Sequence, residues 1–238
     1  MSWSGTFSYS WSPPRGPSRL STSRTELIHL GIAYAVLTFD MLLIISQSTL
    51  LGTGSLKGTV VGILRISPAL VALAAGAALT GFVAHEMAHK VAAQRHGFWA
   101  EFRVYPIGLV LSLVTAFYGF LFAAPGATMI GGMSEVDAHN WGRTSLAGPM
   151  SNLVFAALFY AGSLATVKPF PDLAYALLFL AFINSWFAIF NLIPFGPLDG
   201  RKVLRWNTGY WVIAFVGTAA VAAICFSALY YLGPTLGL

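Results

Sequence analysis

His85-Glu86-Met87-Ala88-His89 places two imidazoles four residues apart. An α-helix turns about 100° per residue, so the pair shares one face, about 40° from each other. Imidazoles at this spacing can converge on one tetrahedral metal ion. Glu86, one residue on, is placed to act as general base toward water at that metal. The chemistry indicated is metal-assisted hydrolysis. Pro68 to Ala84, just before the pair, carry no charged side chain. A charged cluster against such an apolar run is costly unless it faces an aqueous or protein-lined cavity, which marks it as a functional site.

A hydrolytic metal site needs a third protein ligand while its fourth position stays open. The candidates are Asp40, Glu101, Glu135, Asp137, Asp172, Asp199, His29, His96 and His139. Asp199 stands out. It closes the stretch from Asn191 to Gly200, where Pro194, Gly196, Pro197 and Gly200 interrupt an apolar helix. A break of this kind frees backbone polar groups and lets a short carboxylate turn inward, as at ion sites built on broken membrane helices. The plain alternative is a turn aspartate followed by glycine; the missing third ligand favours Asp199 as metal ligand. Asn191, at the break, reads as a contact for substrate backbone or a developing oxyanion. Asn184, on the same helix face, reads as a structural amide. Gly148, Pro149 and Asn152 open a later apolar span and read as a closely packed helix start. Asp40 is an intramembrane acid to which the sequence assigns no partner. Cys225 is the single cysteine, which excludes a disulfide framework and a multi-cysteine zinc site.

These residues must be positioned by membrane helices. The chain has 238 residues, 57% hydrophobic and only 9% charged, whereas soluble domains are about a quarter charged. Spans are expected at about 27–47, 67–94, 144–166, 173–193 and 208–232, near the roughly 20 residues a crossing requires. Residues 1–25, rich in Ser and Pro, read as a flexible basic tail, and 26–238 as one transmembrane domain. The net charge of +5 sits mostly in short loops, so it reports topology and implies a lipid bilayer, not nucleic acid, as partner.

Basic residues flank particular ends: Arg15, Arg19 and Arg24; Lys90, Arg95 and Arg103; Arg201, Lys202 and Arg205. Placing these at the cytoplasmic face puts His85 and His89 near the cytoplasmic end of their helix, with Lys57 and Arg65 as a smaller group opposite. The stretch 104–132 is long enough to cross. A single crossing would send the Arg201 cluster to the face opposite Lys90. A segment that enters and returns removes the conflict, and Gly119, Pro125 and Gly126 offer places to turn. The expected fold is an all-α polytopic membrane protein. It has about five transmembrane helices around a three-helix catalytic core, plus a re-entrant helix/strand element.

At this point the chain resembles the site-2 protease family of intramembrane zinc metalloproteases. The resemblance rests on His85-Glu86-x-x-His89, on Ala147-Gly148-Pro149 with Asn152, and on Asn191-x-x-Pro194-x-x-Pro197-Leu198-Asp199-Gly200. It covers roughly 67–205. It implies one zinc ion per chain held by His85, His89 and Asp199, with Glu86 as catalytic base and Asn191 beside the substrate. It also implies a re-entrant loop after the motif helix and, as substrate, the transmembrane segment of another membrane protein. The segment 104–124 is longer and more apolar than that loop is expected to be. The alternative reading is a divalent-metal transporter or metal-sensing membrane protein using the same three ligands.

Overall fold

The computed structural model describes residues 20–50, 67–121, 125–132 and 138–232. Most of the 1–25 tail, together with Lys57, Arg65, Glu135 and Asp137, lies outside the described residues. Helix α1 runs over Arg24–Leu50. The Ser23 hydroxyl caps it by accepting from the Glu26 N–H at 3.1 Å. Just before it, Ser21 exchanges two hydrogen bonds with the Gln94 side chain, so residues at the end of the predicted tail are docked on the next helix.

Helix α2 spans Pro68–Arg95. It opens with Pro68 at its first turn and Ser67 as N-cap, accepting from Leu70 N–H at 3.2 Å. Its Leu79–Val83 turn has π geometry, a widening often found at functional sites. The motif follows directly after it.

Strand β1 (Trp99–Val104) pairs antiparallel with β2 (Gly126–Gly131), Phe102 opposite Thr128 and Val104 opposite Gly126. Because Val104 and Gly126 meet, the stretch between them leaves and returns to one place. It contains helix α3 (Pro106–Ala116), whose 11 residues are too few to span. The re-entrant element is therefore part strand and part helix, as expected from the charge bias.

Helix α4 (Ala138–Thr166) contains Pro149. Helix α5 covers Pro171–Leu192, α6 Asp199–Trp206 and α7 Thr208–Leu232. Helices α1, α2, α5 and α7 are long and apolar enough to cross a membrane. Helix α4, expected as the remaining span, has the length, but its first half carries Asn140, Arg143, Thr144, Ser145, Ser151 and Asn152. Those polar residues are tolerated because α4 is the central helix, packed by α2, α5 and α6. Large apolar side chains face outward on the spanning helices, Ile213 at 72% and Leu27 at 60% exposure among them, as a lipid-facing surface requires. The packed interior comprises Leu37, Phe82 and Phe102 in one cluster and Met41, Ile45 and Leu180 in another. Asp40 is fully buried in α1, with the Ser112 hydroxyl of α3 as its polar neighbour.

Candidate metal centre

Helix periodicity turns His85 and His89 to one face of α2, with their Nε2 atoms 3.0 Å apart. Asp199, the first residue of α6, brings its Oδ2 to 2.9 Å from His89 Nε2 and 3.4 Å from His85 Nε2. Two ligand atoms about 2.0–2.1 Å from a tetrahedral zinc lie about 3.3 Å apart. The donor set therefore fits one ion. Its three ligand atoms all lie within 4.8 Å of one another, and the three residues are buried.

The other ring nitrogens are already committed. His89 Nδ1 lies 2.8 Å from the Thr144 carbonyl, which can only accept. His85 Nδ1 lies 2.5 Å from Asn152 Oδ1. The Asn152 amide nitrogen donates to the carbonyls of Thr80 and Gly81 and to Asn184 Oδ1, which fixes the oxygen toward His85. Both Nδ1 atoms thus act as donors, leaving each Nε2 free to ligate. The π turn makes its own contribution here: its widened register turns the Thr80 and Gly81 carbonyls to Asn152. Asn184 completes the chain by donating to Thr80 Oγ1 at 2.9 Å.

Two glycines allow the approach. A Cβ at Gly148 would overlap the Nε2 atoms of both histidines, so only glycine lets α4 pass this close to the site. At Gly200 a Cβ would run into the Leu192 carbonyl. That contact folds α6 back on the end of α5 and sets Asp199 inward. The second Asp199 oxygen accepts from Lys202 Nζ at 3.2 Å, and Lys202 also lies over the Trp141 ring, 5.9 Å from its centre. The Lys202 ammonium beside it favours the ionised carboxylate that a metal site needs.

Glu86 points to the re-entrant hairpin. Its Oε2 accepts from the Thr128 N–H at 2.7 Å and lies 2.8 Å from the Thr128 hydroxyl. Four residues on, Lys90 is buried and paired with Glu26 Oε2 at 2.5 Å. The other Glu26 oxygen accepts from the Phe102 N–H at 3.0 Å. Lys90, counted from the sequence among the flanking cations, is therefore an internal partner of α1.

Among the described residues, His85, His89 and Asp199 are the group able to hold a metal. The other sequence candidates lie apart from it. His29 accepts weakly from Val104 N–H at 3.4 Å, and His139 packs edge-on against Trp206. Glu101 accepts from Ser23 and pairs with Arg103, while His96 and Asp172 are exposed. Asn191 is in the last turn of α5, where its side-chain amide donates to the Phe187 carbonyl at 3.0 Å. The sequence reading missed the site contributions of Asn152, Gly148, Lys202 and Thr128. A polar Asn in an apolar span and a Lys one turn after Asp199 were usable signals. Thr128 carries none.

No family model matches the chain, and no solved structure matches it. The chain is similar to a Methanocaldococcus jannaschii protein named "Putative zinc metalloprotease MJ0611", 38% identical over 135 residues, which are 56% of this chain and 70% of the relative. Two Mycobacterium tuberculosis proteins bear the same description. Rip3 is 32% identical over 189 residues, 75% of this chain and 43% of its own length. Rip2 is 32% identical over 124 residues, 49% and 48%. The chain thus spans less than half the length of these two mycobacterial relatives.

Proposed function

This chain belongs to the zinc metalloproteases, and from that premise we propose that it is an intramembrane endopeptidase of the site-2 type, hydrolysing peptide bonds within transmembrane segments of membrane proteins. The observation that carries this reading is the convergence of Asp199 with His85 and His89, which stand on a helix long and apolar enough to cross a membrane. We assign the metal to these three ligands. When bound, zinc supplies Lewis acidity, lowering the pKa of water toward about 7 and polarising the scissile carbonyl.

The chain's own residues perform the rest. Glu86 accepts the proton from water and later passes it to the leaving amine. Asn152 and the Thr144 carbonyl hold the two imidazoles in their ligating orientation, and Lys202 steadies Asp199. A helical substrate hides its carbonyls in intrahelical bonds, so it must unwind before attack. The unwound segment adds as a strand to β2, with Asn191 as a further hydrogen-bond partner. In Asn191→Ala, KM for a single-span peptide is expected to rise by up to about tenfold, the worth of one hydrogen bond, at unchanged zinc content. An unchanged KM and kcat would remove Asn191 from the substrate site.

The domain is read as one unit over 26–238 with its core at about 67–205. The site is read near the cytoplasmic face, because Arg95 ends the helix of His85 and His89, Arg201 and Arg205 share α6 with Asp199, and the charge bias assigns such cations to that face. Zinc metalloprotease relatives favour hydrolysis over the metal-transport alternative. The test is metal removal: stripping purified protein with a chelator should abolish cleavage of a single-span peptide, and one equivalent of zinc should restore it. Cleavage that persists after complete metal removal would overturn the reading.

A further inference from the structure

The hairpin's hydrogen bonds show how its edges are oriented. The Phe102 N–H donates to Glu26 and the facing Thr128 N–H to Glu86, so neither donates across the ladder. Phe102 and Thr128 are therefore a non-hydrogen-bonded pair, both N–H groups pointing out of the hairpin. The outward edge of β2 meets α2 at Glu86. The Thr128 hydroxyl lies on the same carboxylate oxygen, at 2.8 Å, and 3.0 Å from the Glu86 carbonyl, one proton serving two acceptors. Oε2 is thus anchored by two groups of one residue, while Oε1 takes no hydrogen bond among the described residues.

We propose that Thr128 is a positioning residue for the hydrolytic reaction, fastening the base Glu86 to the re-entrant strand through its hydroxyl and amide and leaving Oε1 to handle the proton. This rests on the reading of Glu86 as general base. A carboxylate on a free side chain samples several rotamers. One with Oε2 fixed presents its other oxygen in one direction, the pre-organisation that proton transfer needs. Because the anchor belongs to β2, the strand that receives substrate also sets the base. The Thr128 N–H is the outward donor that an added strand would meet, so a docking substrate carbonyl competes with Glu86 for the amide while the hydroxyl keeps its hold.

The experiment uses the full chain, zinc-loaded, with a fluorogenic single-span peptide as probe. Thr128→Val keeps shape and amide but removes the hydroxyl; Thr128→Ser restores it. The expected result for Thr128→Val is a kcat lower by about 10- to 100-fold, with KM within about threefold, one zinc per chain and an unchanged melting temperature. Thr128→Ser should return kcat to within about threefold of wild type. A Thr128→Val protein that turns over at the wild-type rate overturns the proposal. So does Thr128→Ser as impaired as Thr128→Val, or a loss confined to KM, zinc content or stability. Full activity of Glu86→Gln would instead remove the base assignment. The Thr128 anchor is then read separately by amide hydrogen exchange: in Glu86→Ala the Thr128 amide should exchange at least about tenfold faster, and an unchanged rate would deny the contact.

Discussion

Two carboxylates grip the same hairpin from opposite edges, and the difference between them separates structure from chemistry. Glu26 caps the Phe102 N–H on the outer edge of β1; Glu86 caps the Thr128 N–H on the outer edge of β2. Both lie within α-helices and both hold an amide of the same residue pair. Their remaining partners differ. Glu26 is fully buried and its second oxygen is paired with the buried Lys90 ammonium. A charge so enclosed and so fully engaged is fixed in place, and it joins α1, α2 and β1 into one frame. Glu86 has no cationic partner among the described residues, keeps one oxygen unbonded, and stands beside His85. The same contact thus ends in a strut on one edge and, on the other, in the carboxylate proposed as base. Helix α2 links them, because Glu86 and Lys90 are four residues apart along it.

The comparison predicts opposite phenotypes. Glu86→Gln should lower cleavage by about 10²- to 10⁴-fold, the usual worth of a general base, with zinc content and melting temperature kept. Lys90→Met should do the reverse in kind. It leaves Glu26 buried without its cation, a loss of about 3–5 kcal/mol, visible as a lower melting temperature in detergent. Adding Glu26→Gln to Lys90→Met should recover much of that loss, because the uncompensated charge is then gone; a double variant less stable than Lys90→Met would break the strut assignment. Smaller again is the effect behind the metal. Asn152→Ala removes the acceptor for His85 Nδ1 and should weaken zinc affinity by about 10- to 100-fold, measured by competition with a chelator of known affinity. Unchanged affinity would mean that Asn152 packs helices without orienting the ligand.

The parts of this arrangement that sequence made legible are those written in local spacing. The histidine pair follows from helix periodicity, and the inward Asp199 from a helix broken by two prolines and two glycines. The re-entrant stretch followed from charge parity, and the Val104–Gly126 pairing returns the chain as that parity required. What stayed hidden depends on tertiary register. Thr128 sits in a Gly-rich segment with no pattern of its own, and only its alignment opposite Phe102 aims its amide at Glu86. Glu26 lies at the polar start of α1, where an acid is ordinary at a helix N-terminus, and its partner Lys90 is 64 residues away. Lys90 looked like a topology marker because flanking cations usually are. Helix α4 was legible as a long helix. Its role as the protein-enclosed centre of the site was not, since the Gly148 approach and the Asn152 network exist only once α2 is packed against it.

Zinc-dependent hydrolysis inside the membrane with Glu86 as the proposed base makes a positional prediction. Mass spectrometry can map where a single-span peptide in liposomes is cut by wild type and by Glu86→Gln, each carrying one zinc per chain. The predicted result is a wild-type cut within the apolar span and no cut by Glu86→Gln. Cleavage by Glu86→Gln at the wild-type rate, or wild-type cuts confined to residues outside the span, would contradict it.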